Sequence, residues 1–250
     1  SIQKFVELCG VAKGQSSVDY AMLEYCIRED LKMKRSRMMA VLDPIKLVID
    51  NYPEGEVEYL DAANNLENEE LGSRKIPFCR ELYIERDDFM EEPPKKYFRL
   101  FPGNEVRLMH AYFVKCVSFE KDENGNVTVV HCTYDPETKS GSGFNARKVK
   151  GTIHWVSAES AIDAEVRLYE NIVDEEKGKL NEDGSLNLNP NSLVVKQGCK
   201  LEKTFAEAKP GEAFQFVRNG FFCLDSKDST PDHPVYNRIV SLKSSYKPGK

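Results

Sequence analysis

The chain has 250 residues, 40% hydrophobic, 10% aromatic and 30% charged, with a formal net charge of −6. That is enough apolar material for two or three packed units, and too acidic for a protein that coats nucleic acid by charge alone. No apolar run is long enough for a membrane-crossing helix, no signal-peptide pattern opens the chain, and the seven cysteines include no C-x-x-C pair, so a zinc ribbon or redox motif is excluded.

The opening residues predict a helix. Ile2, Phe5, Val6 and Cys9 recur at helical spacing between Ser1, a candidate cap, and Gly10, a stop. A start on serine, directly in a helical pattern, predicts a piece of a longer protein. A second helix is predicted from Ser17 to about Leu31, with Val18, Met22, Tyr25 and Cys26 on its apolar side. After Met38 the texture changes to strand-like runs: MMAVLD, KLVIDNY, EVEYL and KIPFCRELYI. Two hairpins are expected, turning at Asn124-Gly125 and Asn219-Gly220, where Asn-Gly suits a type I′ turn with both central residues at positive φ. Ser140–Gly143 is a loop tip and not a phosphate loop, since no Gly-Lys-Ser/Thr follows. Arg147–Ser157 alternates, with Val149, Gly151, Ile153 and Trp155 on one side and Lys148, Lys150, Thr152 and His154 on the other, which predicts a half-buried strand with a basic face. Glu159–Ile172 reads as a short helix or as a strand. Asn181–Asn191 reads as a long surface connection. The fold class expected is mainly β with a small α-helical N-terminal part, the strands forming two antiparallel β-barrels.

Candidates for catalysis are poor. The histidines are His110, His131, His154 and His233, none spaced with a Glu as a zinc site would be, and His131 and Cys132 point to opposite faces of a strand. No metal site or catalytic set is expected. Features for binding are better: Lys95, Lys96, Tyr97, Phe98 and Arg99 interleave cations with aromatics, and bases splayed from a single-stranded loop stack on such groups. An ordinary strand with an aromatic core side fits the same residues.

Longer strings narrow the reading. Lys150–Val156 (KGTIHWV), Ser192–Gly198 (SLVVKQG) and Phe214–Ser226 (FQFVRNGFFCLDS) occur in this order at the C-terminal end of glutaminyl-tRNA synthetases. IREDL at 27–31, MAVLDPIKLVIDNY at 39–52, GSRKIPF at 72–78, GNEVRLMHAYFVKC at 103–116 and CTYDPET at 132–138 extend the similarity over essentially the whole chain. The chain thus resembles the anticodon-binding region of that class I aminoacyl-tRNA synthetase family. The resemblance implies a helical connector over 1–36, a proximal barrel from 37–94 and 177–250, and a distal barrel over 95–176. It implies a whole enzyme that joins glutamine to tRNA(Gln) with ATP and magnesium. The ATP motifs of such enzymes are missing from these residues, so no cofactor and no catalysis are expected in the chain itself. The implied partner is the tRNA(Gln) anticodon stem-loop, with no DNA and no membrane. The implied protein is a cytoplasmic monomer, a compartment that also suits scattered free thiols.

The resemblance also implies roles for single residues. Arg37 and Gln215 match residues that read the middle base, a uridine. Arg99 matches the reader of the third base, a guanosine, where an Arg fork fits O6 and N7. Arg107 matches an Arg at the first base, and Arg218 an Arg near the anticodon loop, although an Arg that merely shields a hairpin turn fits there too. The sequence departs from the bacterial pattern at Lys32, Lys96, Phe98, Met109 and His110, and Ala62–Glu70 aligns only with a gap. A glutamyl-type synthetase shares the barrels, but VLDPIKLVIDNY and KGTIHWV fit the glutaminyl side better. A stand-alone RNA-binding barrel protein would need neither residues 1–35 nor a second barrel.

Overall fold

The computed structural model of the chain describes residues 1–10, 17–174, 177–243 and 246. Two helices come first, α1 (Ile2–Cys9) and α2 (Tyr20–Lys34). The strands follow: β1 (Arg37–Met38), β2 (Ala40–Val41), β3 (Pro44–Ile49), β4 (Glu58–Ala63), β5 (Ser73–Phe78), β6 (Glu81–Glu85), β7 (Glu105–Leu108), β8 (Phe113–Lys121), β9 (Val127–Asp135), β10 (Thr152–Ile153), β11 (Trp155–Ser157), β12 (Ile162–Tyr169), β13 (Leu193–Leu201), β14 (Ala213–Phe216), β15 (Gly220–Leu224) and β16 (Val235–Ser241). Helix α1 stops at Gly10, whose φ of 68° a residue with a side chain rarely adopts. Helix α2 starts later than Ser17 because Asp19 is its cap, accepting a bond from the Ala21 N–H at 2.9 Å. Arg28 ties α2 to the far end of the chain, donating to the carbonyls of Ser241 (2.7 Å) and Lys243 (2.8 Å).

The strands form two nearly closed, barrel-shaped sheets and one hairpin. One sheet runs β1-β14-β15-β16-β12-β13-β2, the other β10-β7-β8-β9-β3-β6-β11, and β4 pairs with β5. Each sheet wraps its own core. In β3, alternation sends Ile45, Leu47 and Ile49 inward, where they meet Phe78, Leu82 and Trp155. Trp155 is 1% exposed, packs edge-on against Phe78 at 5.1 Å, and satisfies its indole by donating to the Met109 carbonyl at 2.9 Å. The second core is a cluster of Phe205, Phe214, Phe216, Phe222 and Tyr236, with Phe216 stacked on Phe222 at 4.2 Å. Five of the seven cysteines are buried, as core-filling thiols should be.

Several expectations are corrected. The ladders are not purely antiparallel: β1 with β14, β10 with β7, β12 with β16 and β3 with β9 run parallel, because closing a barrel brings strands distant in sequence side by side. The sheets also cut across the expected barrel ranges. Strands β3 and β6 share a sheet and a core with β7, β8 and β9, whereas β12, within 95–176, pairs with β13 and β16 in the other sheet. Of the two readings left open for residues 159–172, helix or strand, the structure has strand β12. Residues 147–151 are irregular, and the continuous strand expected over 147–157 is two short ones, β10 and β11, on opposite edges of their sheet. The break between them sends His154 inward, 1% exposed. Neither Asn-Gly turn is type I′. Among the described residues only Lys96, His110 and Arg218 combine a side chain with positive φ, so Asn124 and Asn219 keep negative φ. At the first turn Asp122 explains this, accepting bonds from the N–H groups of Asn124 (2.9 Å) and Asn126 (2.8 Å) while Gly125 alone turns left-handed. At the second, the left-handed residue is Arg218, φ 68°.

Candidate nucleic-acid interface

Arg37 and Gln215 meet although they lie 178 residues apart. Strand β1 is only two residues long, yet it docks parallel to β14 with Arg37 directly opposite Gln215. The ladder bonds are Gln215 N–H to the Ser36 carbonyl (2.9 Å) and Val217 N–H to the Met38 carbonyl (2.9 Å). Across this pairing the Arg37 Nε donates to Gln215 Oε1 at 3.1 Å. That bond fixes the amide: its oxygen faces Arg37, so its NH₂ remains to donate. The other end of the Arg37 guanidinium donates from Nη2 to Glu67 Oε1 at 2.9 Å.

Glu67 comes from the β4–β5 connection, which is locked onto the C-terminal end of α2. The carbonyls of a last helical turn lack helical partners. Asn65, 2% exposed, supplies one side-chain amide to two backbone carbonyls there, Lys32 and Arg35, both at 2.9 Å. Asn68 donates to the Met33 carbonyl at 3.0 Å, and Asn65 Oδ1 accepts the Glu67 N–H at 2.8 Å. Glu67 is therefore placed by the loop, and it meets Lys32 as well, at 3.0 Å. The Lys32 ammonium, then the Arg37 guanidinium, hold its carboxyl below the usual carboxylate range. Asn65→Ala should destabilise the fold by about 1–2 kcal/mol, because the carbonyls lose their donor inside the structure. Asn65→Asp should lose a similar amount, since a carboxylate cannot donate. Urea denaturation of both variants checks this, and an unchanged midpoint would refute it.

A second cluster lies in a polar cleft of about 310 Å³, lined by Glu85, Asp88, Arg99, His154, Lys196 and Arg218 among others. Asp88 is fully buried. Arg218 grips it with both ends of the fork, Nη1 to Oδ2 at 2.6 Å and Nη2 to Oδ1 at 2.7 Å. Arg99 approaches the same carboxylate through Nε at 3.3 Å and donates from Nη1 to the Asp87 carbonyl at 2.9 Å. Tyr97 donates to that carbonyl at 3.0 Å, and burial pushes its phenol up to about 12, which keeps it a donor. The grip on Asp88 offsets the left-handed backbone of Arg218, a conformation that opposes a side chain. His154 sits behind Arg218. Its Nε2 must carry the proton, since it faces the Ala40 carbonyl at 2.9 Å, and Nδ1 accepts from Arg218 Nη1 at 3.3 Å. Burial alone would push the Glu85 carboxyl up. Bonds from His154 and from the N–H groups of Leu42 and Asp43 outweigh it and hold the group below the usual range.

Arg107, on β7, belongs to neither cluster. Its guanidinium lies over the Phe113 ring at 4.3 Å and donates to Ser140 Oγ at 2.9 Å. Among the described residues no carboxylate lies within ion-pair distance of it, and burial lowers its pKa from the ordinary value. Arg147 flanks the same ring at 5.3 Å, but is held by Glu105 and Asp135. The fold thus joins Arg37 with Gln215 and Arg99 with Arg218, links the two sets through the β14–β15 hairpin, and leaves Arg107 on a separate aromatic shelf. At the departures, Phe98 is 48% exposed with the Lys150 ammonium over its ring at 5.2 Å, Lys96 and His110 both have positive φ, and burial lowers the His110 pKa. Glu67, Asp88 and His154 went unread as site residues. Glu67 lies in the stretch that aligns with a gap, Asp88 in an ordinary acidic run, and His154 on what read as the solvent face.

Comparisons with known proteins give the family. Residues 36–135 match a family model described as the anticodon-binding domain of class I tRNA synthetases (E and Q), and residues 152–225 match a second model of the same description. The chain belongs to this family. Glutamine–tRNA ligases are among its relatives: that of Clostridium perfringens is 56% identical over 253 residues, and that of Clostridioides difficile 56% over 256. The Bradyrhizobium diazoefficiens ligase is 48% identical over 246 residues. These alignments cover 99%, 100% and 98% of the chain, but the chain spans only 45%, 45% and 44% of the relatives' length. Among the described residues no helix of this family member is long and apolar enough to cross a membrane, and no group of three or more His, Cys, Asp or Glu side chains could hold a metal ion.

Proposed function

We propose that this chain recognises the anticodon loop of tRNA(Gln) as part of a cytoplasmic, monomeric glutamine–tRNA ligase. The observation that carries the reading is the β14–β15 hairpin, which holds Gln215 against Arg37 and, three positions on, Arg218 against Asp88 and Arg99. Two sets of base-edge donors gathered around one hairpin, which supplies Gln215 to the first and Arg218 to the second, suit two bases that are neighbours in an unstacked loop. Arg37 and Gln215 take the middle uridine, Arg99 with Arg218 the third guanosine, and Arg107, stacked and without a carboxylate, the first base. The ion pairs at Glu67 and Asp88 keep these arginines from binding phosphate indiscriminately. In this reading the ATP and magnesium of the ligase reaction are held elsewhere in the ligase.

Arg99→Ala should relax discrimination at the third base by about 1–3 kcal/mol while leaving preference at the middle base intact. Titration of this chain with anticodon stem-loops varied one base at a time, at fixed salt, measures it. Equal loss of affinity for every third base would mean that Arg99 touches only phosphate, and no loss at all would remove it from the interface.

A further inference from the structure

We infer that the Phe98 ring is a stacking platform for one unpaired base of the RNA loop, other than the third, and that the Lys150 ammonium meets the phosphate beside that base. The inference rests on the proposal that this chain binds an anticodon loop. It gives an RNA contact to two residues for which that proposal has no role.

Phe98 stands apart from its kind. Of the thirteen phenylalanines it alone is exposed, at 48%. The backbone that carries it is pinned on both sides. Tyr97 donates to the Asp87 carbonyl at 3.0 Å, the Arg99 carbonyl accepts from Asn104 Nδ2 at 2.7 Å, and the Leu100 N–H donates to the Asp88 carbonyl at 2.9 Å. Across from it, Gly151 packs so closely that a side chain there would strike the Phe98 carbonyl oxygen. A ring on fixed backbone loses little freedom when a ligand covers it, so more of the stacking energy appears as affinity.

The surroundings say what that ligand is. Lys150 Nζ lies over the ring at 5.2 Å, and among the described residues no carboxylate is within ion-pair distance of it. Residues 93–104 and 138–158, the two segments that meet at Phe98 and Gly151, contain no Asp or Glu in a chain that has forty-one. They carry Lys95, Lys96 and Lys148 as well, all exposed. An aromatic face beside unpaired cations suits a flat base joined to a phosphate. A duplex keeps its base faces inside the stack, so the fit is to an unpaired nucleotide. The ring also lies between two of the proposed readers. Arg99 follows it directly, and the Arg107 N–H donates to the Gly151 carbonyl at 2.9 Å. Phe98 does not line the cleft that holds Arg99, which is why the stacked base is a different one from the guanosine read there.

The test titrates this chain with the tRNA(Gln) anticodon stem-loop, with the same loop made abasic at one position at a time, and with a duplex of equal length. The proteins are wild type, Phe98→Leu, Phe98→Trp and Lys150→Ala, each first shown by urea melt to keep the fold. Phe98→Leu, apolar but without a π face, should bind the intact loop on the order of tenfold more weakly, with unchanged salt dependence. Phe98→Trp should bind at least as well as wild type. Removing one base outside the third position should weaken wild type by the same factor and cost Phe98→Leu nothing further. Lys150→Ala should flatten the slope of log affinity against log salt by about 0.7, the share of one phosphate on a single strand. If Phe98→Leu binds as wild type does, or loses the same factor with every abasic loop, the ring stacks on no base and the inference is overturned. Coupling to the third base would overturn it too, by making the ring part of the Arg99 cleft, and an unchanged salt slope would remove Lys150 from the phosphate. Should wild type bind the duplex as tightly as the loop, the anticodon reading itself has failed, whatever the Phe98 variants do.

Discussion

Glu202→Ala should lower the stability of the fold by about 3–5 kcal/mol, the range for removing one partner of a buried ion pair. Glu202 is 4% exposed, and its partner Arg74 shows only 9% of its side chain. Arg74 on β5 donates from Nη2 to Glu202 Oε2 at 2.8 Å and from Nε to Oε1, and steadies its own fork on Asn64 Oδ1 at 3.1 Å. The same carboxylate accepts the Met39 N–H at 3.0 Å and the Thr204 hydroxyl. Alanine would leave a guanidinium, a backbone N–H and a hydroxyl short of an acceptor in a place water reaches poorly. Because β5 contributes to one core and Glu202 follows β13 of the other sheet, this carboxylate fastens the two barrels together. The expected result is a shifted midpoint in chemical denaturation, with the largest losses of amide protection near Met39. A change below about 1 kcal/mol would mean that solvent replaces the carboxylate, and that the pair lies outside the buried class.

Gly151→Ala should be nearly as damaging. A Cβ at Gly151 would lie 1.8 Å from the Phe98 carbonyl oxygen and 3.3 Å from Val106 Cγ1. The first distance is far inside van der Waals contact and involves backbone, so no rotamer change relieves it. Backbone on both sides is pinned, by the Leu100 N–H to the Asp88 carbonyl at 2.9 Å and by the Arg107 N–H to the Gly151 carbonyl at 2.9 Å. Relief must therefore displace the segment carrying Arg99 or the strand carrying Arg107. Overpacking of this kind costs about 1–3 kcal/mol, and a backbone clash belongs at the upper end. The measurement is a urea melt together with stem-loop titration. Stability and affinity should fall together, and an unchanged melt would show that the two segments part more easily than their hydrogen bonds suggest.

The legible part of the fold was whatever depends on local pattern. Alternation in KLVIDNY and in NVTVVHCTYD marked β3 and β9 because one face of each strand is buried. Pairing between distant strands was not legible. Nothing local in Arg37-Met38 or Thr152-Ile153 says that either will lie parallel to a strand far away in the chain. The alternation of 147–157 misled for a related reason: its polar face includes His154, whose partners Ala40 and Arg218 arrive from other parts of the chain. Asn-Gly predicted a turn correctly in both places and its dihedrals in neither. Side-chain bonds from Asp122 decided the first, and the left-handed residue of the second is Arg218, which Asp88 grips. Of the candidate site, the arginines were visible through the resemblance, whereas Glu67 and Asp88, which hold them, were hidden among forty-one acidic residues with nothing local to distinguish them.

The two-residue strand β1 bears on how the protein is made. Its partner β14 lies 178 residues further along, so the Arg37–Gln215 contact forms only once the stretch between them has been synthesised. A product that stops short of β14 would hold every strand of the sheet built from β3 and β6 to β11 and still lack Gln215. Quality control is thereby written into connectivity: a copy cut short of β14 has Arg37 without Gln215.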